Sequence, residues 1–328
     1  MSPNSFYPLR FKPILRRLIW GGRRLGSVLH KSIGDESDYA ESWELSDYRD
    51  QVSVVDEGSL AGATLRDLVR SRGDELLGKA LGPRDQFPLL VKFIDAHQAL
   101  SVQVHPDDLT GRRLANDNGK TETWVILDTL PGSLIYAGLK QGVSRDEFAS
   151  AMHSGKVEHL LHTFEPTPGD CILIEAGTVH AIGAGVLLAE IQEMSDATFR
   201  IYDWGRKGPD GKPRQLHFRE AMESINFERG PVGPISPVAQ PIAGGGTEER
   251  LSRSPYFALE RMSLVQPALV GDPDRFTIVM GLKGKSTIEH GGNRVPLEFG
   301  QTLLLPAALK RCEIAPRGEA TVLTCVVP

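Results

Sequence analysis

Between residues 50 and 135 the chain alternates short β-rich runs with turns, at 52–55, 89–94, 101–105 and 121–127. Apolar and β-branched residues between Gly, Pro, Asn and Asp punctuation spell strands. One interruption is helical: Leu65, Leu68, Val69, Leu76 and Leu77 recur at near-helical spacing and predict a helix over 64–77. From Ser144 the period changes. Ser144-Arg145-Asp146-Glu147 fits a capping box before a helix, and a second short helix is predicted over 156–161. Together they make a helical insert at about 144–162. Strand character returns at 171–175 and 185–192, and 216–225 reads as another helix. Residues 230–249 are rich in Pro and Gly and poor in charge, as a linker is. The remainder reads as an all-β tail, with strands at 257–264, 276–280, 285–289, 301–305 and 320–327. Many short strands divided by turns predict sandwiches or barrels. The expected organisation is a first unit at 1–229, the linker, and a smaller β unit at 250–328.

Charge and composition narrow the function. With 37 basic and 42 acidic side chains the net charge is −5, a poor match to a phosphate backbone, so no nucleic-acid partner is expected. No apolar run approaches the roughly 20 residues that cross a bilayer, so no membrane partner is expected either. Three cysteines, widely spaced and without a CxxC, form neither a disulfide framework nor a thiolate zinc site. The expectation is a cytoplasmic protein.

Three segments carry candidate chemistry. In Gln103-Val104-His105 the outer two residues share a strand face, which sets an amide oxygen beside an imidazole. Lys120, Glu122 and Trp124 share a face in the same way. Residues 169–180 read as a turn, a buried strand, a tight Gly177 turn and then His180. Gln103, His105, Glu122 and His180 together make an N₂O₂ donor set that suits Zn²⁺, with Mn, Fe, Co or Ni chemically compatible. Singly, each of these residues reads as an ordinary strand or core position; in chain order on β-rich segments they look like the metal site of a cupin. The second cupin motif, Gly-x₅-Pro-x-Gly-x₂-His, is matched at 169–180 except that Glu175 stands where Pro is usual.

The resemblance sharpens over 19–227. Ile19-Trp20-Gly21-Gly22, Glu41-Ser42-Trp43-Glu44-Leu45-Ser46-Asp47, the stretch 87–96, Leu100-Ser101-Val102-Gln103-Val104-His105-Pro106, Gly119-Lys120-Thr121-Glu122-Thr123-Trp124, the stretch 176–183 and Glu190-Ile191-Gln192-Glu193-Met194-Ser195-Asp196 running to Arg200 recur in that order. In these motifs the chain resembles the type I phosphomannose isomerases, in their short bacterial form. Thr123 and Glu175 are uncommon choices for that family, and neither removes a ligand.

The resemblance implies a mainly β chain of two cupin-type jelly-roll β-sandwiches with a small helical insert on the first. It implies an aldose–ketose isomerase that interconverts mannose 6-phosphate and fructose 6-phosphate through an enediol(ate). One Zn²⁺ per chain would be held by Gln103, His105, Glu122 and His180. Arg200 and Lys120 are expected at the reacting atoms, and Lys92, Ser101 and Trp20 at the substrate. Glu190, desolvated on the same strand face as Gln192, is either the proton carrier or a partner to Arg200 or Lys120. The alternatives for Lys92 and Trp20 are a snorkelling edge lysine and plain core packing. The expected partner is a phosphorylated hexose, on a monomer or weak homodimer. His153, His159 and His162 are expected at the surface. The stretch 300–311 begins a second-cupin motif but lacks its Gly and His, so the second unit is expected to be a metal-free scaffold. Two rivals are an Fe(II) cupin oxygenase and a non-catalytic sugar-binding cupin.

Overall fold

The computed structural model describes residues 5–208 and 210–328; the first four residues and Pro209 of the expected 1–229 unit lie outside them. The chain is mainly β, and four larger antiparallel sheets form two cupin-type sandwiches. The first pairs a six-stranded sheet, in the order Ile14–Gly22, Tyr39–Leu45, Leu89–Ala96, Val186–Glu193, Glu122–Thr129 and Cys171–Ile174, with a five-stranded one. The latter runs Phe199–Tyr202, Val102–Val104, His180–Ile182, Ile135–Leu139, Leu161–Phe164. In the second sandwich a six-stranded sheet from Ala239–Pro241 to Thr302–Leu305 is joined by a four-stranded one.

Strand parity sorts the side chains. Every residue of Leu89–Ala96 and Val186–Glu193 is buried, because both faces of their sheet are covered. Val91, Phe93, Leu187, Ala189 and Ile191 join a core shared with the second sandwich and the N-terminal segment. Ile94 and Leu188 turn the other way, into the first sandwich, with Trp20, Trp124 and Ile182. On the opposite sheet Val102, Val104, Val179, Ala181, Phe199 and Ile201 face outward, under Phe148 and Met152 of the helix Arg145–Ser154 and Ala221 of the helix Phe218–Ser224. The intervening Gln103, His180 and Arg200 are left facing inward.

The predicted helices over 64–77, from Ser144 and over 216–225 form as Leu65–Leu77, Arg145–Ser154 and Phe218–Ser224, the second with its expected cap. Thr64 accepts from Asp67 N–H to start Leu65–Leu77, and Ser144 accepts from Glu147 N–H to start Arg145–Ser154. The second short helix is a single 3₁₀ turn, Val157–Leu160, because Leu161–Phe164 leaves it to pair with Ile135–Leu139. His153 and His159 are exposed; His162, on that edge strand, is half-buried instead. The helix Asp108–Leu114 and the strands Ile14–Gly22, Tyr39–Leu45 and Ile135–Leu139 add to the pattern read from the sequence. The second half of the Pro/Gly-rich stretch is structured: Ala239–Pro241 pairs with Gly246–Arg253, which runs past residue 249, as a hairpin at the edge of the second sandwich.

The sandwiches are joined through side chains and backbone. Phe87 packs on Phe276 with ring centroids 4.8 Å apart. Gly78, at φ +91°, lies so close to the backbone of Asp274 that a Cβ would stand 1.9 Å from its carbonyl oxygen. Leu9 exchanges two hydrogen bonds, of 2.8 and 2.9 Å, with Leu304 at the far end of the chain. Among the described residues no helix is long and apolar enough to cross a membrane.

Candidate metal centre and its cavity

The four candidate ligands converge. The register sets His180 and Arg200 on either side of Gln103 in the five-stranded sheet. Glu122 arrives from the facing sheet, opposite Gln192. Gly177 makes this possible: at φ +87° it turns the chain back between the strands Cys171–Ile174 and His180–Ile182, donates to His105 C=O at 2.8 Å and accepts from Asn226 N–H at 3.0 Å.

Glu122 Oε2 lies 3.3 Å from His105 Nε2 and Oε1 lies 3.4 Å from His180 Nε2. Gln103 Nε2 stands 3.3 Å from His180 Nε2. One ligand atom from each of His105, Glu122 and His180 falls within 4.8 Å of the others, and all three residues are buried. The outer ring nitrogens are committed: His105 Nδ1 is 2.8 Å from Ala197 C=O and His180 Nδ1 is 2.9 Å from Thr178 C=O. Nδ1–H donation fixes the tautomer and aims each Nε2 lone pair at the centre, the usual support for a metal-bound histidine. His105 Nε2 and both Glu122 oxygens are buried without a hydrogen bond, although Lys120 Nζ stands 3.0 Å from Glu122 Oε2 as an ion-pair partner. Orphaned acceptors in such a cluster are costly unless a cation completes them. The donor set therefore fits a divalent metal.

Protonation points the same way. Burial, then Lys120, pushes His105 down to about 4. His180 is likewise lowered, first by burial. Burial would raise Glu122, but Lys120 and the histidines override it and hold the carboxylate ionised. Neutral imidazoles and an anionic carboxylate are the forms that bind metal.

The centre opens on a cavity of about 300 Å³ lined by Trp20, Lys92, Ser101, Gln103, Lys120, Glu122, Glu190 and Arg200 among others. Every polar residue singled out above the ligands thus reaches one space. Lys92 is not an edge lysine. It sits opposite Glu190 in the ladder, with Nζ–Oε1 3.1 Å, and its ammonium lies over the Trp43 ring at 5.2 Å. Burial opposes its charge, but Glu190 and further carboxylates raise it well above the ordinary lysine value. Glu190 also accepts from Trp124 Nε1 at 3.0 Å, so its partners are Lys92 and Trp124, neither Arg200 nor Lys120. Trp20 is both wall and core, 4% exposed. Ser101 Oγ is 3.4 Å from Gln103 Oε1. Arg200 donates to Gln215 C=O at 3.1 Å and keeps Nε buried without a hydrogen bond; burial and Arg214 lower it.

The cavity also holds Glu41, Asp196, Thr198 and Arg214, which the sequence did not single out. Glu41 accepts from Trp43 Nε1 at 2.6 Å, and Arg214 is gripped by Asp203, which Arg206 also contacts. Glu41 and Asp196 stood inside quoted motifs; Arg214 had no signal of its own. The lining counts four cations against four carboxylates, so the cleft is near neutral rather than positive.

Residues 9–126 match the catalytic domain of type I phosphomannose isomerase, and 247–325 match the cupin domain of mannose-6-phosphate isomerase. Mannose-6-phosphate isomerase ManA of Bacillus subtilis is 32% identical over 320 residues, 96% of this chain and 98% of its own. The Streptococcus mutans mannose-6-phosphate isomerase is 31% identical over 92% of this chain and 93% of its own. A crystal structure of a mannose 6-phosphate isomerase from Bacillus subtilis superimposes with a TM-score of 0.89 at 29% identity, over 98% of this chain and 99% of that one. A putative mannosephosphate isomerase from Archaeoglobus fulgidus, at 22% identity and TM-score 0.80, shares the fold. With identity above 30% over nearly the full chain and a buried His–Glu–His cluster on that fold, the chain belongs to the mannose-6-phosphate isomerase family, the type I phosphomannose isomerases.

Proposed function

We propose that the protein interconverts mannose 6-phosphate and fructose 6-phosphate through an enediolate, with one Zn²⁺ held by Gln103, His105, Glu122 and His180. The supporting observation is the convergence of these four donors at the edge of the 300 Å³ cavity that Lys92, Lys120 and Arg200 line. A divalent ion held there would supply Lewis acidity toward the sugar's carbonyl and hydroxyl groups. It also adds two positive charges to a near-neutral lining, the complement of a phosphate dianion.

The chain's own groups do the rest. Glu190 removes the proton from C2, the C–H pair becomes the C1=C2 bond and the C1=O π pair moves onto O1; the O2 hydroxyl proton then passes to O1, C2=O forms from the O2 pair, and the same carboxyl returns its proton to C1 as the C1=C2 pair becomes the new C–H bond. Lys92 and Trp124 hold Glu190 in place. Arg200 and Lys120 stabilise the negative charge that develops on the enediolate oxygens. Lys92 and Ser101 bind the sugar phosphate, and Trp20 excludes water from one side. The centre belongs to the 1–229 unit, joined through 230–249 to a scaffolding 250–328 unit. We place the enzyme in the cytoplasm as a monomer or weak homodimer, consistent with Cys171, Cys312 and Cys325 being buried and unpaired.

The test is isomerase activity on mannose 6-phosphate after chelator treatment and again after Zn²⁺ is restored. Activity should vanish and return. A zinc-loaded protein with no turnover would leave a sugar-binding cupin as the better reading.

A further inference from the structure

The segment that leads into Glu122 has no strand partner of its own. The strand begins only at Glu122, so residues 118–121 depend on other groups to hold their backbone. Asp117 Oδ1 accepts from Asn118 N–H and Asp108 Oδ1 from Gly119 N–H, each at 2.9 Å, and Lys120 N–H reaches Pro106 C=O at 3.0 Å. Thr121 is held twice by one residue. Glu193 Oε1 accepts from Thr121 N–H at 2.7 Å, and Glu193 N–H donates to Thr121 C=O at 3.2 Å.

Glu193 has the opposite strand parity from Glu190 and Gln192 and does not line the metal cavity. It is 6% exposed and lines a separate cavity of about 410 Å³ between the two sandwiches, with Asp108 and Tyr256. Burial, with Asp108 nearby, pushes its carboxyl up to about 7. Retaining an acid at that cost calls for a return, and the Thr121 amide, buried and otherwise without an acceptor, supplies the reason.

We infer that Glu193 is a positioning residue: by clamping both backbone groups of Thr121 it sets where the flanking Lys120 and Glu122 side chains end. A ligand carboxylate displaced by a fraction of an ångström loses its geometry against His105 and His180, and groups behind a metal ligand carry 10–100-fold in affinity. The inference rests on reading Gln103, His105, Glu122 and His180 as the metal site.

The experiment compares the full-length wild-type chain with Glu193→Gln, Glu193→Asp and Glu193→Ala. Zn²⁺ affinity is measured by calorimetric titration of the metal-stripped proteins, and kcat and KM are measured at saturating Zn²⁺. Gln keeps the acceptor and should stay within about threefold of wild type. Asp keeps the charge but is one methylene short; like Ala, it should weaken Zn²⁺ binding about 10–100-fold and lower kcat about tenfold, with KM changed less than about threefold. Should Ala fail to fold, the Gln–Asp contrast decides alone. Asp binding zinc as tightly as wild type, or Gln failing as badly as Asp, overturns the inference. A wild-type chain that takes up no zinc overturns the metal-site reading itself, and the positioning role with it.

Discussion

The two sandwiches share an architecture and differ in what they bury. The first encloses Lys92, His105, Lys120, Glu122, His180 and Glu190, whereas the buried polar side chains beyond residue 250 are only Ser and Thr: Ser252, Ser254, Thr277, Ser286, Thr287, Thr302 and Thr324. The divergence is plain at the corresponding turns. In the first sandwich Gly177 swings the chain back so that His180 enters the interior; in the second, Ala307–Leu309 makes a 3₁₀ turn and Lys310 at φ +57° carries exposed Arg311 outward. A jelly roll tolerates ions inside only where each meets a partner, as Lys92 meets Glu190 and Lys120 meets Glu122. The first sandwich carries that burden beside its cavity, and the second, filled with Met262, Val279, Leu303 and Val322, carries none of it.

The contrast can be broken most completely at His180. His180→Ala should abolish Zn²⁺ retention and turnover, read by elemental analysis and assay; full metal content would remove His180 from the site. Next in size is Lys92→Met, which strands Glu190 and should cost about 3–5 kcal/mol in chemical denaturation. Adding Glu190→Leu should recover much of that stability without activity, giving the first sandwich an interior like the second's. Conversely, Leu303→Ala should cost about 2–5 kcal/mol while leaving zinc content unchanged. If zinc were lost too, the second sandwich would not be a mere scaffold. Arg200→Ala should lower kcat about 100-fold, or about 2.7 kcal/mol, with normal metal content.

The smallest effect concerns pH. Glu193 stands at about 7 in the fold against an ordinary 4.5, so between those values the folded chain binds more protons than the unfolded one. Its contribution to stability is present below pH 4.5 and lost as pH rises through 7, with a slope no steeper than about 1.4 kcal/mol per pH unit. Glu193→Gln should flatten that slope; an identical pH–stability curve would show that Glu193 does not titrate there.

The candidate donor cluster was legible because strand alternation alone places Gln103 beside His105 and Lys120 beside Glu122, and the Gly177 turn announces His180. Arg214 was not, because it reaches the cavity only through its grip on Asp203, eleven residues back. Glu41 lies on a strand with a register shift, which defeats a reading by parity. The Asp108–Leu114 helix escaped because Leu109 is 78% exposed and only Gly111 is buried, so it shows no apolar face. Ile14–Gly22 is a half-buried edge strand whose arginines interrupt the alternation. Nor does any local pattern reveal that the interior of one sandwich is polar and that of the other dry; that follows from pairings such as Lys92 with Glu190, nearly a hundred residues apart.

The bridge between Leu9 and Leu304 bears on how the molecule is made. A ribosome releases Leu9 early, yet its partner strand emerges only when residue 304 has been made. The sheet edge it covers therefore stays open until then, and the entropic toll of closing so long a loop delays this seam. Cutting the chain in the Pro/Gly-rich stretch should accordingly yield two fragments that remain associated. The first sandwich, by the same token, cannot complete its N-terminal seam before the second has folded.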